Sequence, residues 1–114
     1  MGVVTATYPF FSNVSVATRT WTNSAECRVD GYTIKSVQVS IGTPVSGIHY
    51  RVQGKISGSP RYYNVVTGTI TATQYTNLHA VTQGFDLMRV GVKKALTASS
   101  VSGFYATGHF GEQL

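Results

Sequence analysis

Apolar and polar residues alternate through most of the stretch 37–93 of this chain. In the clearest segment, 48–56, every second residue from Ile48 onward is apolar or glycine. The positions between them are polar or basic: His49, Arg51, Gln53 and Lys55. Because successive strand side chains point to opposite faces of a sheet, the segment is predicted to be a strand with one buried and one solvated face.

β-Branched and aromatic residues dominate the chain, and Gly, Pro, Asn and Ser interrupt it at intervals of about ten residues. No segment keeps helical periodicity over ten residues, and a short helical turn is expected only within 95–102. These features predict an all-β chain, with residues 1–114 forming a single antiparallel β-sandwich, jelly-roll or Ig-like, of about eight strands. The predicted strands are Val3–Tyr8, Asn13–Thr22, Tyr32–Ile41, Gly47–Ile56, Tyr62–Val66 (continuing or restarting over Gly68–Ala72), Asn77–Thr82, Phe85–Lys93 and Gly103–Phe110.

The first 31 residues are patterned less strictly, and two interpretations of them remain open. Residues 1–31 are either an N-terminal arm engaged in assembly or an edge strand of the sandwich, with Pro9 expected to end the first strand. The segment 3–11 carries apolar groups that a two-sheet core need not accommodate, and exposed apolar surface usually marks a contact site. We predict that it packs against a neighbouring subunit, with Tyr8 at the contact and Phe10 and Phe11 as anchors. The alternative is an edge strand that covers its own sandwich.

Charged residues make up 11% of the 114 residues, less than half the usual fraction of about 25%. Nine basic and four acidic residues give a net charge of +5, an excess that reflects scarce acids rather than clustered bases. No run of Lys or Arg predicts specific nucleic-acid binding. Arg51 and Lys55, which share one side of a predicted strand, form a candidate basic face.

The sequence contains no run of about 18 apolar residues, the length that a membrane span needs. Its N-terminus lacks the basic region of a secretory signal, so synthesis in the cytoplasm and no membrane partner are expected. Cys27 is the only cysteine, which rules out an internal disulfide and predicts a small buried side chain.

No arrangement of residues predicts catalysis, a metal or a cofactor. The four acids, Glu26, Asp30, Asp86 and Glu112, are too scattered for paired acid–base work. His49, His79 and His109 lie on three predicted strands, but spacings of thirty residues do not specify a zinc site, and surface or half-buried positions are expected.

Aromatic residues are the stronger candidates for contacts, since exposed Tyr and Trp commonly stack on sugars or anchor interfaces. Tyr62 and Tyr63 must point to opposite faces of their strand, so one ring is predicted to be core and the other free for a partner. Tyr62 is therefore a candidate interface residue, and Trp21 is predicted to be core.

Two blocks carry a resemblance to a known group of proteins. Residues 63–72 form a Thr/Gly-rich strand, and residues 84–92 read Gly-Phe-Asp-Leu-Met-Arg-Val-Gly-Val, followed by the aromatic strand 103–110. This succession, over about residues 32–110, resembles the small β-sandwich virion proteins of tailed bacteriophages.

The resemblance implies a non-enzymatic virion structural protein, expected to be a capsid decoration or cement protein that binds the assembled head. It implies the major capsid protein or other virion subunits as partners, so the segment 3–11 is expected to pack against either a neighbouring subunit or the capsid. It also implies a homo-oligomer, with a trimer preferred. The alternative is a carbohydrate-binding module of a tail or fibre, with exposed rings such as Tyr62 or Trp21 binding sugar.

Overall fold

The computed structural model describes residues 3–42, 47–71, 76–95 and 101–113, which contain nine strands and no helix. The strands are β1 (Val3–Val16), β2 (Thr22–Asn23), β3 (Cys27–Arg28), β4 (Ile34–Ile41), β5 (Ile48–Lys55), β6 (Tyr63–Ile70), β7 (Thr76–Ala80), β8 (Leu87–Lys94) and β9 (Val101–Gln113). The predicted strands from β4 onward recur with shifted ends, whereas the two-residue strands β2 and β3 were not predicted. The helical turn expected within 95–102 falls largely outside the described residues.

Two antiparallel sheets pack face to face. The four-stranded sheet has the order β1-β9-β4-β7, and the five-stranded sheet has the order β2-β8-β5-β6, with β3 also paired to β8. The predicted all-β sandwich is therefore confirmed.

Strand β1 differs most from its prediction, because it continues through Pro9 to Val16. Proline is tolerated here since β1 lies at the edge of its sheet and pairs only with β9. The pairing register shifts three times, first between Pro9 and Phe11. This irregularity lets two adjacent residues, Phe10 and Phe11, both contact the core, as a regular strand would not allow.

The core lies between the sheets and follows the predicted alternation. On β4 and β5 every second side chain is fully or almost fully buried: Val37, Val39, Ile41, Ile48, Tyr50 and Val52. β9, which pairs with β4 in the four-stranded sheet, contributes Phe104, Ala106 and Phe110. Burial of these apolar groups is the main force that holds the two sheets together.

Tyr50 connects the two sheets near the edge formed by β6 and β7. Its ring leans across Gly68, its partner on β6, where an added Cβ would collide with the ring. The hydroxyl accepts a hydrogen bond from Asn77 Nδ2 at 3.1 Å and shares a second one with His79 Nε2. Burial lowers the pKa of His79. The ring is therefore neutral near pH 7, and its tautomer sets which of the two groups donates in this hydrogen bond.

Candidate functional site on the five-stranded sheet

On the outer surface of the five-stranded sheet, the two central strands, β5 and β8, carry four cations, which we call the basic face: Arg51, Lys55, Arg89 and Lys93. Arg51 and Lys55 come from β5, as predicted, since they alternate with buried residues. Arg89 and Lys93 come from β8, which pairs with β5 so that Gln53 faces Arg89 and His49 faces Lys93. The alternation of β8 places Arg89 and Lys93 on one side and Lys94 on the other. However, only the observed pairing shows that the first of these sides adjoins the cations of β5.

Trp21 holds two of these cations. The Arg51 guanidinium carbon lies 4.4 Å and the Lys93 Nζ 4.7 Å from the ring centroid. Cation–π attraction of this kind stabilises a charge without neutralising it. The prediction that Trp21 is core is wrong, because its half-buried ring packs on the polar side of the sheet.

Arg51 reaches Trp21 by passing over its cross-strand partner Gly91. A Cβ at Gly91 would lie 2.9 Å from Arg51 Nε and 2.7 Å from Asn23 Oδ1. Asn23 fixes the far end of the side chain by accepting a 3.1 Å hydrogen bond from Arg51 Nη2. Gly91 thus provides the space that allows the cation to lie under the indole.

Tyr62 holds the other two cations, with Arg89 Cζ at 3.8 Å and Lys55 Nζ at 5.2 Å from its ring centroid. Arg89 Nε donates to Gln53 Oε1 at 2.8 Å, and Gln53 Nε2 donates to Asn64 Oδ1 at 2.8 Å. Gln53 is only 5% exposed, so the face of β5 predicted to be solvated is partly covered.

Neither tyrosine of the 62–63 pair belongs to the core. Tyr62 is half-buried on the basic face, and Tyr63 is 60% exposed beside Phe85. The prediction that one ring is core is therefore wrong. The two rings do point to opposite sides of the sheet, as predicted. However, Tyr63 lies at the open end of the sandwich, where the inner side of β6 is no longer covered.

Like charges are crowded on this face. Burial, and then repulsion from Arg89, lowers the pKa of Arg51. Among the described residues the one ion pair is Arg28–Asp30, at 3.1 Å, which involves none of the four cations. Neutral amides and rings therefore orient these cations, and no carboxylate of the described chain pairs with them.

Two polar atoms on this face are buried and have no hydrogen-bond partner, Arg51 Nε and the Tyr62 hydroxyl. Burial first, then the nearby Glu26 carboxylate, raises the pKa of Tyr62 to about 12, against the opposing effect of Arg89. Glu26 acts on the hydroxyl both as a nearby hydrogen-bond acceptor and through its charge, although the two groups do not reach the distance and angle of a full hydrogen bond.

The outer surface of the four-stranded sheet is different, because it carries no charged side chain among the described residues. We call it the neutral face: Ile34, Ser36, Gln38, Ser40, Leu78, Tyr105, Thr107 and His109. Three apolar side chains on it are exposed, Leu78 by 66%, Ile34 by 49% and Tyr105 by 38%.

The predicted contact residues of β1 lie on neither outer face. Phe10 is 7% exposed and makes edge-on ring contacts with Tyr8 and Phe110. Phe11 contacts Phe104, with ring centroids 5.7 Å apart. Phe10 is therefore not free to anchor a partner in this conformation, because the irregularity in β1 turns it inward. Contact of the segment 3–11 with another subunit stays a prediction.

The remaining candidates are dispersed. His49 lies on the basic face, His79 between the sheets and His109 on the neutral face, and the described residues contain no metal-binding cluster. Asp86 accepts a hydrogen bond from the Ser57 backbone amide at 2.8 Å. An open cavity of about 340 Å³ at one end is lined mainly by Ile56, Tyr63, Phe85 and Arg61. The described part of the chain has no helix long and apolar enough to cross a membrane.

No family model matches the sequence, and no curated protein matches it. Solved structures do share the fold. A protein derived from the SPBc2 prophage, YomS, is similar with a TM-score of 0.57 and 11% identity, over 98% of this chain and 96% of that one. A chain from Bacillus endospore appendages, described as disulfide-linked pili, is similar with a TM-score of 0.55 and 15% identity, over 95% and 87%. A chain of infectious bursal disease virus, Gx strain, gives a TM-score of 0.51 and 8% identity, over 95% of this chain and 32% of its own length. The chain thus has a β-sandwich fold found in prophage-derived, appendage and viral proteins.

Proposed function

We propose that this chain is a non-enzymatic structural protein of a virion, and more specifically a decoration protein of the phage head. The observation that carries the proposal is the neutral face, a broad sheet surface without charge that exposes Leu78, Tyr105 and Ile34. The fold shared with prophage-derived and viral proteins supports this assignment.

The neutral face is suited to burial against protein because the centres of protein interfaces are depleted in charged residues. Burying a charge is costly unless it is paired, whereas Ser, Thr and Gln can exchange hydrogen bonds with water for bonds with a partner. The principal extents of the molecule are 46 × 33 × 18 Å. Each broad face therefore has room for a standard interface of about 800 Å² per partner.

The proposed partners are the major capsid protein or other virion subunits, with further copies of this chain completing a homo-oligomer, preferably a trimer. Binding would favour the assembled shell by mass action, since a ligand stabilises the state that it binds. After synthesis in the host cytoplasm, the protein would be located in the virion.

A mass-spectrometric census of virions purified from cultures that express the chain tests this role. The chain should co-purify with the particles in a fixed ratio to the major capsid protein. Its absence from intact particles would refute the structural role.

The second candidate function, a carbohydrate-binding module of a tail or fibre, is favoured by a different observation. Trp21 and Tyr62 lie on one face together with the Arg51 guanidinium and the Asn64 amide. Rings beside such donors are typical of sugar sites. A glycan array should show hits that Trp21→Ala removes, and an array without hits would reject this function.

A further inference from the structure

We propose that the basic face binds a linear acidic polysaccharide, one that carries carboxylate or sulfate groups along its chain. This goes beyond the structural role and deepens the second candidate function, on which it rests for the ligand being a carbohydrate. Three features of the face support the proposal: the order of the four cations along β5 and β8, their contacts with two aromatic rings, and the side-chain amides beside them.

The cations form a zigzag line along the strands. Down the paired strands they alternate between β8 and β5, in the order Lys93, Arg51, Arg89, Lys55. Residues four apart on one strand are separated by about 13 Å, and neighbouring strands by about 4.8 Å. The Cα positions therefore advance in regular steps along the face, while the charged ends gather in two pairs, one at Trp21 and one at Tyr62. Two successive anionic groups of an extended polymer could each meet one pair.

The cations are oriented but not neutralised. Two rings hold them as pairs, with all four cation-to-centroid distances between 3.8 and 5.2 Å. The oxygens that accept from the two arginines are the amide oxygens of Asn23 and Gln53. After burial, repulsion from Arg89 adds to the lowering of the pKa of Arg51, and among the described residues neither arginine forms an ion pair; the Glu26 carboxylate lies near the Tyr62 hydroxyl instead. An anion placed between the two arginines would relieve that repulsion as well as contributing its own attraction.

Two exposed amides add hydrogen-bonding capacity for sugar hydroxyls. Asn23 Oδ1 accepts from Arg51 and Asn64 Oδ1 accepts from Gln53. Each intramolecular bond uses the oxygen, which leaves the NH₂ group of the same side chain to donate. These donors flank the line of cations on β2 and β6, where a polymer lying along the line would present its hydroxyl groups.

An acidic polysaccharide fits this face better than a single-stranded nucleic acid. Sequence-tolerant binding of single strands needs ring faces on which bases can stack. Here both rings are half-buried and each lies against two cations of its own chain, which leaves less free ring surface for a succession of bases than for a single sugar ring. The cations and amides beside the rings match carboxylate or sulfate and hydroxyl groups.

The test uses Trp21 as the reporter, since it is the only tryptophan and lies within the site. Its fluorescence is titrated with polygalacturonate, heparin, neutral dextran and a poly(dT) oligonucleotide at low and moderate salt. We expect saturable binding of at least one acidic polysaccharide that weakens with salt, tighter than binding of poly(dT), and no response to dextran.

Two adjacent lysines provide matched variants. Lys93→Gln removes a cation that contacts Trp21, whereas Lys94→Gln makes the same charge change at a residue paired with the buried Ile48. Lys93→Gln should weaken binding about threefold to fivefold, in line with the contribution of an exposed ion pair, and Lys94→Gln should not. Gln53→Glu, which places a carboxylate between Arg89 and Asn64, should weaken binding further.

Each other outcome overturns the inference in a distinguishable way. Equal effects of Lys93→Gln and Lys94→Gln would show attraction to net charge alone, and tighter binding of poly(dT) would indicate a nucleic-acid site. If only neutral glycans on the array bind, the carbohydrate-binding function survives and the acidic specificity fails. If no carbohydrate binds at all, both fail, while the structural role is still decided by the virion census.

Discussion

At the scale of single residues, Gly91 determines how the basic face is built. Arg51 crosses β8 at this position, and a methyl group there would displace Arg51 Nε and Asn23 Oδ1. Since all the close atoms belong to flexible side chains rather than to the backbone, we expect Gly91→Ala to cost no more than about 1–2 kcal/mol of folding free energy. The Trp21 emission should nevertheless change as Arg51 leaves the ring. Gly84→Ala, where a Cβ meets nothing within 4 Å, is the control, and unchanged emission in Gly91→Ala would contradict the proposed path of Arg51.

Two substitutions at Tyr62 distinguish the contribution of its ring to stability from that of its hydroxyl. Because the buried hydroxyl has no hydrogen-bond partner, Tyr62→Phe should leave the free energy of unfolding unchanged or raise it by up to about 1 kcal/mol. Tyr62→Ala removes the ring that holds Arg89 and Lys55, so it should be clearly less stable than Tyr62→Phe. Urea denaturation of both variants checks the order. A loss in Tyr62→Phe as large as that in Tyr62→Ala would show that the hydroxyl, and not the ring, stabilises the face.

We predict that folding stability depends on pH because of His79. The folded state lowers its pKa, whereas the unfolded chain titrates near the ordinary value of about 6.5. The unfolded state then binds more protons below this pH, so stability is fully present above about pH 6.5 and is lost as pH falls through the lowered pKa. His79→Gln should flatten this slope between pH 7.5 and pH 5 in urea denaturation. His109→Gln, at an exposed position, should keep it, and equal slopes in all three proteins would contradict the role of His79.

At the scale of elements, alternation alone located β4, β5, β6, β7, β8 and β9, because burial of one face imposes a period of two on the sequence. It did not locate β1 correctly, since a proline that stops an internal strand is allowed on an edge strand with an irregular register. Half of the basic face was predictable from the period of β5. The other half required knowing that β8 is its neighbour, and strand order is set by long-range packing that a local pattern does not encode.

Because β1 turns Phe10 into the core, we predict that this residue contributes strongly to the free energy of unfolding. Since this ring is buried against Tyr8 and Phe110, Phe10→Ala should cost about 3–5 kcal/mol of unfolding free energy. Pro9→Ala, at the exposed neighbouring position, should change it by about 0.5 kcal/mol or less. Deletion of residues 1–11 should accordingly unfold the chain. A stable Phe10→Ala variant that fails to assemble would instead support β1 as a docking segment.

At the scale of the whole molecule, the two broad surfaces differ in chemistry and lie on opposite sides of a body whose smallest extent is 18 Å. The neutral face is suited to permanent burial against protein, while the basic face keeps unpaired charge that is costly to bury without an anionic partner. A subunit attached through the four-stranded sheet would therefore present the five-stranded sheet outward. On this basis the structural role and the polysaccharide site are compatible in one chain.

Co-sedimentation with purified particles that lack the chain tests the central claim, attachment through the neutral face, most directly. Leu78→Asp places a charge at the most exposed apolar residue of that face, and Ile56→Asp makes a comparable change at a residue 60% exposed beside the end cavity. Both variants should fold, as circular dichroism would verify. We predict that wild type and Ile56→Asp sediment with the particles and that Leu78→Asp stays in the supernatant. Sedimentation of Leu78→Asp at the wild-type level would contradict the account.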